Sequence, residues 1–317
     1  MNMKYAHQCA GMPNYRVRFS QSAEDQRVRT KLFGVGSAGC NIIEGAPFPA
    51  VAFSSSSADL ARSHADRKVL VGQDRLIGVS DTGPELMRKL PSIVGHELLD
   101  IFNNTEVAFM MCGLGGVSGS LGTRLLSSIA HVKGATGIVL ATTPFSAESI
   151  RRRELASEAL RDILSVCSLC VEFDNDKLSS LGASIPLSRA FGLLNGIMLR
   201  PVIDLSATMS KGDIPAFRQT VGESTYSRFG LGLGRGDERV DRVVKEALTS
   251  PWFDFPIDGA TAAIVIYSAS DPWEKEAAEI LSRLESSMPS SKIMWGAYSD
   301  PLLGDRIRLS LLVCRKV

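Results

Sequence analysis

Two short apolar runs in this chain each end in a cluster of glycines, and that pairing constrains the fold more than any other feature. Residues 28–33 run into Gly34-Val-Gly36-Ser-Ala-Gly39, and residues 107–112 run into Gly113-Leu-Gly-Gly-Val-Ser-Gly-Ser120. A short apolar run bounded by glycine reads as a buried strand, and the turn after it as the start of a helix. Further strands are expected over 50–53 and 137–141, with helices over 84–90, where Pro84 suits a first turn, and over 148–164. Strand and helix alternating in this way indicate an open parallel α/β sheet. Beyond about residue 205 the rhythm changes. Helices are expected over 239–248 and 273–284, and strands over 260–267, 293–297 and 307–313, which reads as a smaller second α+β domain.

Composition narrows the possible functions. The chain has 317 residues, is 44% hydrophobic and 22% charged, and carries a net charge of +1. That is the balance of a globular protein with ample core, and it gives no electrostatic footprint for nucleic acid. No apolar run in the sequence reads as a membrane span. Residues 1–28 are polar and lack the apolar middle of a signal peptide, so they read as a loose extension or a short leading helix. Six cysteines scattered through such a chain suggest a reducing cytoplasm. Cys167 and Cys170 form a C-x-x-C inside an apolar run, where a structural role is expected. The four histidines lack metal-ligand spacing, and no metal site is assigned.

Gly34-x-Gly36-x-x-Gly39 matches a dinucleotide fingerprint, whose backbone amides and helix start can hold a phosphate. An NAD enzyme would also place an acidic residue about 20 positions on, and this chain has Ser54 to Ser57 there. The lysine of a P-loop is absent too. Two such turns in one sheet suggest two contacts along a single polyphosphate.

The second turn, Gly115-Gly116-Val117-Ser118-Gly119-Ser120, resembles the GGGTG(S/T)G signature of the FtsZ/tubulin family. The first, Gly36-Ser37-Ala38-Gly39-Cys40-Asn41, lies between the FtsZ and tubulin forms. Thr142-Thr-Pro-Phe145 through Glu148 and Arg152 resembles the TKPFxFEGxxR segment of FtsZ, and Asn175-Asp-Lys-Leu178 its NDKL. Phe191 and Asn195 fall where FtsZ stacks and hydrogen-bonds guanine. Leu248-Thr-Ser-Pro251, Gly259-Ala260, Trp295-Gly-Ala297 and Leu303-Gly-Asp305 resemble its C-terminal domain. The resemblance covers about residues 29–316. It implies a Rossmann-like GTP-binding domain (29–185), a central helix with a hydrolysis loop (186–212) and a C-terminal α+β domain (213–317), after an extension (1–28). The implied cofactor is GTP or GDP, with Mg left open. The implied contacts are both glycine turns, Glu148 and Arg152 at ribose and phosphates, Asn175, and Phe191 with Asn195 at the base. Taken alone, Phe191 would be core, and Glu148 with Arg152 a surface helix pair worth about 0.3–0.5 kcal/mol.

Departures from the family gather on one side. In FtsZ a loop of the next subunit, written N-x-D-x-x-D, positions the attacking water. The matching stretch is Lys211-Gly-Asp213-Ile-Pro-Ala216-Phe-Arg218, so only Asp213 is kept as a catalytic candidate. Loss of such an acid or base group costs roughly 10²–10⁴ in rate. Val117 and Leu121 replace glycines, and their Cβ atoms are expected to crowd the phosphates or oppose a positive φ. Ser54 to Ser57 replaces a carboxylate-bearing segment, and the stretch before Pro84 (78–83) is short for a γ-phosphate loop. The central helix is expected to be short, with Pro201 as a kink.

These readings predict a cytoplasmic FtsZ-like protein acting at the division site. It binds guanine nucleotide and assembles with itself or another FtsZ-like protein in protofilaments, with weakened hydrolysis. A non-polymerising regulator and a merely divergent active GTPase stay open beside it. The sequence closes at Val317 just after the last expected strand, so no tether-binding tail is expected.

Overall fold

The computed structural model describes residues 16–19, 27–77, 88, 98–181, 185–222 and 225–316. In chain order its strands are β1 (Arg16–Arg18), β2 (Thr30–Val35), β3 (Ala50–Ser54), β4 (Arg67–Leu70), β5 (Val107–Gly113) and β6 (Thr136–Thr143). Then come β7 (Leu169–Asp174), β8 (Thr225–Gly234), β9 (Ala262–Ala269), β10 (Lys292–Ser299) and β11 (Ile307–Lys316). Among the described residues they form one sheet in the order β1-β10-β9-β11-β8-β7-β6-β5-β2-β3-β4. The α/β expectation holds, and the second half proves to be an extension of the same sheet. All pairings are parallel except those of β11, which runs antiparallel to both β8 and β9.

The first half shows why near-continuous apolar runs become its strands. On β5, Val107, Phe109 and Met111 point into one buried cluster, and Ala108, Met110 and Cys112 into another on the opposite face. A strand covered on both faces has no polar side to show. One face is covered by α1 (Gly36–Ile42) and α6 (Leu187–Thr208), the other by α4 (Thr123–Val132) and α5 (Ile150–Leu164). Between these come α2 (Ser57–Arg62) and α3 (Gln73–Ile77). In the second half a third cluster lies under α8 (Arg239–Leu248) and α9 (Glu274–Ser287), while α7 (Ile214–Val221) packs with α6 on the first face. The expected helix over 84–90 and the stretch 78–83 lie outside the described residues, Arg88 apart.

β8 was not foreseen, because its sequence alternates glycine with larger residues. An ideal Cβ at Gly230, Gly232 or Gly234 would stand 2.0–2.1 Å from the carbonyl oxygens of Ala247, Val243 and Arg239. The glycines therefore let α8 lie directly against the strand. β8 meets β7 only through Cys170–Tyr226 and Val171–Ser227. Buried Arg228 reinforces that seam: it lies 3.2 Å from Glu172, pairs with Asp254, and stacks 4.6 Å over the Tyr226 ring.

Of the stretch 1–28, read as a loose extension or short helix, residues 1–15 and 20–26 lie outside the described residues, and 16–19 differ from that reading. Residues 16–18 form β1 on the outer edge of β10, and Phe19 follows as a buried anchor whose N–H donates to the Trp295 carbonyl at 2.8 Å. Arg18 pairs with Glu274 and stacks over Trp295, and Arg16 pairs with Glu285. A three-residue polar strand leaves no periodic signal in sequence.

By length and composition α6 could cross a membrane, yet it is a core helix. It runs through Pro201 and buries Leu194, Met198, Val202 and Leu205. Fully buried Asp204 accepts from Arg200, Tyr298 and Ser310, which ties α6 to β10 and β11. At ~1.5 Å per residue its 22 residues span about 33 Å. Cys167 and Cys170 are buried, and burial pushes the Cys167 thiol up to about 12, so neither is poised as a thiolate.

Candidate nucleotide site

The two glycine turns lie against each other at the carboxyl ends of β2 and β5. Gly36 has φ +70°, and a Cβ there would stand 2.9 Å from the Gly119 nitrogen. At Gly119 a Cβ would come 2.0 Å from the Gly113 carbonyl oxygen. Both contacts need glycine. Gly115 also has positive φ, and its N–H donates to Ser120 Oγ at 2.9 Å, closing the second turn on itself.

Val117 and Leu121 do not act as expected. Val117 is helical, with φ −55° and ψ −53°, and Leu121 sits in the turn of helix over Ser118–Gly122, packed against the core. Neither position demands a positive φ, so a side chain is accommodated. Val117 contributes to the wall of the cleft instead.

That cleft has a volume of about 620 Å³, within the usual range for ligand sites. Of the expected contacts it is lined by Gly36, Ser37, Ala38 and Asn41 from the first turn and Gly116, Val117, Ser118 and Gly119 from the second. Glu148, Arg152, Asn175, Phe191 and Asn195 complete the far side. Gly39, Cys40 and Gly115 do not line it. Gly39 allows α1 to approach Met111, where a Cβ would be 2.1 Å from the carbonyl oxygen. Burial first, with the Asp59 and Glu44 charges adding, pushes the Cys40 thiol up to about 11, and its sulfur contacts the Gly34 carbonyl.

The far side is stitched together by local polar bonds. Glu148 accepts from the Phe145 N–H at 2.9 Å and pairs with Arg152 at 3.0 Å. Asp176 accepts from the Ser146 N–H, which joins the turn after β6 to the turn after β7. Phe145 and Phe191 meet edge to face at 6.1 Å, and both line the cleft. Asn175 Oδ1 is buried there without a protein donor. A buried carbonyl of this kind calls for a partner, and a base or ribose N–H or O–H would supply one.

Sequence reasoning missed Asp59, Gln73 and Phe145 as site residues. Phe145 lay within a quoted motif. Beyond the serine segment, Asp59 places a carboxylate on the wall of the cleft. Ser56 caps α2 by accepting the Asp59 N–H, while the Asp59 carboxylate accepts from Ser54 Oγ and Arg62. The serine segment also bridges to the second turn, with the Ser55 and Ser118 hydroxyls 2.6 Å apart. The available signal was Ser56-x-x-Asp59, a helix-start pattern.

The expected hydrolysis loop lies at the other end of α6. Asp213 is buried in a capping box, accepting from the Ser210 N–H at 2.8 Å and the Ser210 hydroxyl at 2.7 Å. Lys211 lies 3.7 Å from Glu106, and Ala216 packs against the core. Among the described residues, no group of three or more His, Cys, Asp or Glu side chains is placed to hold a metal ion.

Comparison with known proteins agrees with this layout. The Tubulin/FtsZ family GTPase domain matches residues 48–182, and the FtsZ family C-terminal domain matches residues 226–315. The cell division protein FtsZ of Methanothermobacter thermautotrophicus is 30% identical over 306 residues, covering 92% of this chain and 80% of its own length. FtsZ 1 of Thermococcus kodakarensis is 27% identical over 305 residues, with 91% and 81% covered. An empty FtsZ dimer from M. jannaschii superposes with TM-score 0.78 at 26% identity, covering 92% of this chain and 89% of that one. A GTPγS-bound protofilament of CetZ2 from Haloferax volcanii shares the fold, with TM-score 0.70 at 21% identity and 90% and 92% covered. With both halves matched and the glycine turns, aromatic pair and central helix in place, this chain is a divergent member of the FtsZ/tubulin family.

Proposed function

We propose that this protein is a cytoplasmic FtsZ-like component of cell division that holds GTP or GDP in the cleft and assembles or co-assembles into filaments, hydrolysing GTP weakly. Phe191 stacks on the base, Asn195 and Asn175 hydrogen-bond its edge or the ribose, and Glu148 and Arg152 meet ribose and phosphate. Backbone amides of the two turns take the phosphates, which explains why Gly36 and Gly119 must lie so close together.

The observation that carries the reading is the contrast between the two ends of α6. Its first turns bring Phe191 and Asn195 to the cleft, whereas Asp213, past its far end, caps Ser210. The ends are about 33 Å apart at ~1.5 Å per residue, so this loop cannot serve the chain's own nucleotide. It could act only on a neighbour's, and there it offers Lys211 and Ala216 where FtsZ offers an amide and a carboxylate. The Methanothermobacter and Thermococcus relatives described above are cell division proteins, which supports the same role here.

Nucleotide affinity by calorimetry and GTP turnover against protein concentration test this, with the protein alone and mixed with an active FtsZ. The expected result is binding, slow turnover alone, and incorporation into the partner's filaments. Fast, concentration-dependent turnover by this protein alone would overturn weak hydrolysis, and absence of affinity would overturn the nucleotide reading.

A further inference from the structure

Both outer strands of the sheet are short and basic. β4 is Arg-Lys-Val-Leu at one end, and β1 is Arg-Val-Arg at the other. Short charged strands protect a sheet edge, because an open edge pairs with any other open edge it meets. The strand beneath β1 needs that protection. β10 reads Lys-Ile-Met-Trp-Gly-Ala-Tyr-Ser, with no charge after Lys292. Among the described residues its outer edge is covered by β1 alone, at Ile293, Met294 and Trp295, and by one hydrogen bond from Phe19 to the Trp295 carbonyl.

The hold of this short segment is local. On one face Arg16 and Arg18 reach the two ends of α9, at Glu285 and Glu274, and their side chains are 40% and 39% exposed. Ion pairs of this kind add little stability. On the other face Phe19 fills a recess left by Gly296, where a Cβ would stand 2.9 Å from its ring and 3.2 Å from Thr208. One buried ring and two partly exposed ion pairs open far more readily than a core strand does.

With β1 displaced, the β10 edge is self-complementary. The Trp295 carbonyl points outward, since it accepts from Phe19, and strand alternation turns the peptide groups of Ile293, Ala297 and Ser299 outward too. An antiparallel copy centred on Gly296 sets Trp295 of each strand opposite Ala297 of the other, and Ile293 opposite Ser299. Opposed residues whose peptide groups face each other are the hydrogen-bonded pairs of an antiparallel ladder. Trp295 and Ala297 both lie on the α9 face, and a cavity of about 240 Å³ runs beside them, walled by Trp273, Glu274 and Ala277. A large ring from one copy thus meets a small side chain and a cavity on the other. Arg18 lines that cavity and covers the Trp295 ring at 4.8 Å, so β1 and a second copy compete for one surface.

We propose that the outer edge of β10 is a docking surface for a second copy of this chain, joined β10 to β10 about a two-fold axis at Gly296, and that residues 16–19 are the guard that keeps it shut. The contact is separate from the nucleotide cleft, which is built on other strands.

The test is the mass of the full chain by light scattering across a concentration series, in EDTA and without nucleotide. Arg16→Glu with Arg18→Glu sets like charges against Glu285 and Glu274 and ejects the guard. The apparent mass of this variant should rise to twice that of wild type. Adding Glu274→Arg and Glu285→Arg restores both pairs with reversed sign and should return the mass to the wild-type value. Ala297→Pro, placed in the charge-reversed chain, removes an outward N–H while leaving the bonds to β9, and should abolish the dimer. Phe19→Ala keeps both ion pairs and should also dimerise, at higher concentration, which covers the case of a charge-reversed chain that fails to fold. The proposal falls if both released variants keep the wild-type mass, or if their association ignores Ala297→Pro. Dimers of wild type that the charge reversal dissolves would mean exchange of leading segments between copies, and would overturn it as well.

Discussion

Phe145 and Phe191 meet edge to face, centroids 6.1 Å apart with planes at 82°, across the mouth of the cleft. One comes from the turn after β6 and the other from the first turns of α6, so their contact fixes the width of the slot where a base would lie. Phe191→Ala should weaken guanine nucleotide binding by about 1–3 kcal/mol, the usual worth of a base–aromatic stack. Phe145→Leu, which keeps the bulk but loses the edge contact, should cost about 0.5–1.5 kcal/mol. Calorimetric titration with GDP checks both, and equal losses would show that Phe191 acts through packing alone.

The glycine turns give two separable predictions, one on binding at Gly119 and one on stability at Val117. Gly119→Ala places a Cβ 2.0 Å from the Gly113 carbonyl oxygen, and nucleotide binding should be lost. Val117→Gly, although it restores the family's residue, should not improve affinity. Val117 is already helical, and glycine there should instead destabilise the fold by about 0.5–1 kcal/mol. Chemical denaturation alongside nucleotide titration separates the two effects.

Asp213 should prove a stability residue. With its carboxylate accepting both the Ser210 N–H and hydroxyl, Asp213→Ala should lower stability by about 0.5–2 kcal/mol. Turnover should stay within about threefold, far from the ~10²–10⁴ loss expected of a working acid or base. A tenfold fall in turnover with unchanged folding would contradict this.

The polar knot between α6 and the second half predicts an alkaline limit. Burial, then the Asp204 charge and its hydrogen bond, pushes the Tyr298 phenol from its usual 10.0 up to about 12. The folded state therefore holds that proton more tightly than the unfolded chain. Its stabilising contribution is complete below pH 10.0 and is lost as pH rises toward about 12. Tyr298→Phe should be less stable than wild type at neutral pH but should lose less between those values. Denaturation midpoints at stepped pH would show the two curves converging.

Most of the first half could be read from sequence because its strands are buried on both faces and end in glycine, as β5 does. The aromatic and amide on α6 were legible through the family resemblance, since Phe191 taken alone reads as core. What escaped had a tertiary cause. β8 looks like a glycine-rich linker until α8 is laid on it. Asp59 enters the cleft only because Ser56 starts a helix that turns it inward. The doubt over Val117 arose from reading a helical position as one needing positive φ. Asp213 kept its identity from the family pattern, but its role depends on Ser210, three residues away.

The pairing of β1 with β10 also sets a schedule for the chain's own manufacture. Arg16 is made about 280 residues ahead of its partner Ile293. At roughly 5–20 residues per second, the earliest strand waits about 15–60 s for its place in the sheet. During that interval Phe19, buried in the finished protein, has no wall to lie against. The growing chain therefore carries an open apolar anchor beside β1 until β10 has been made.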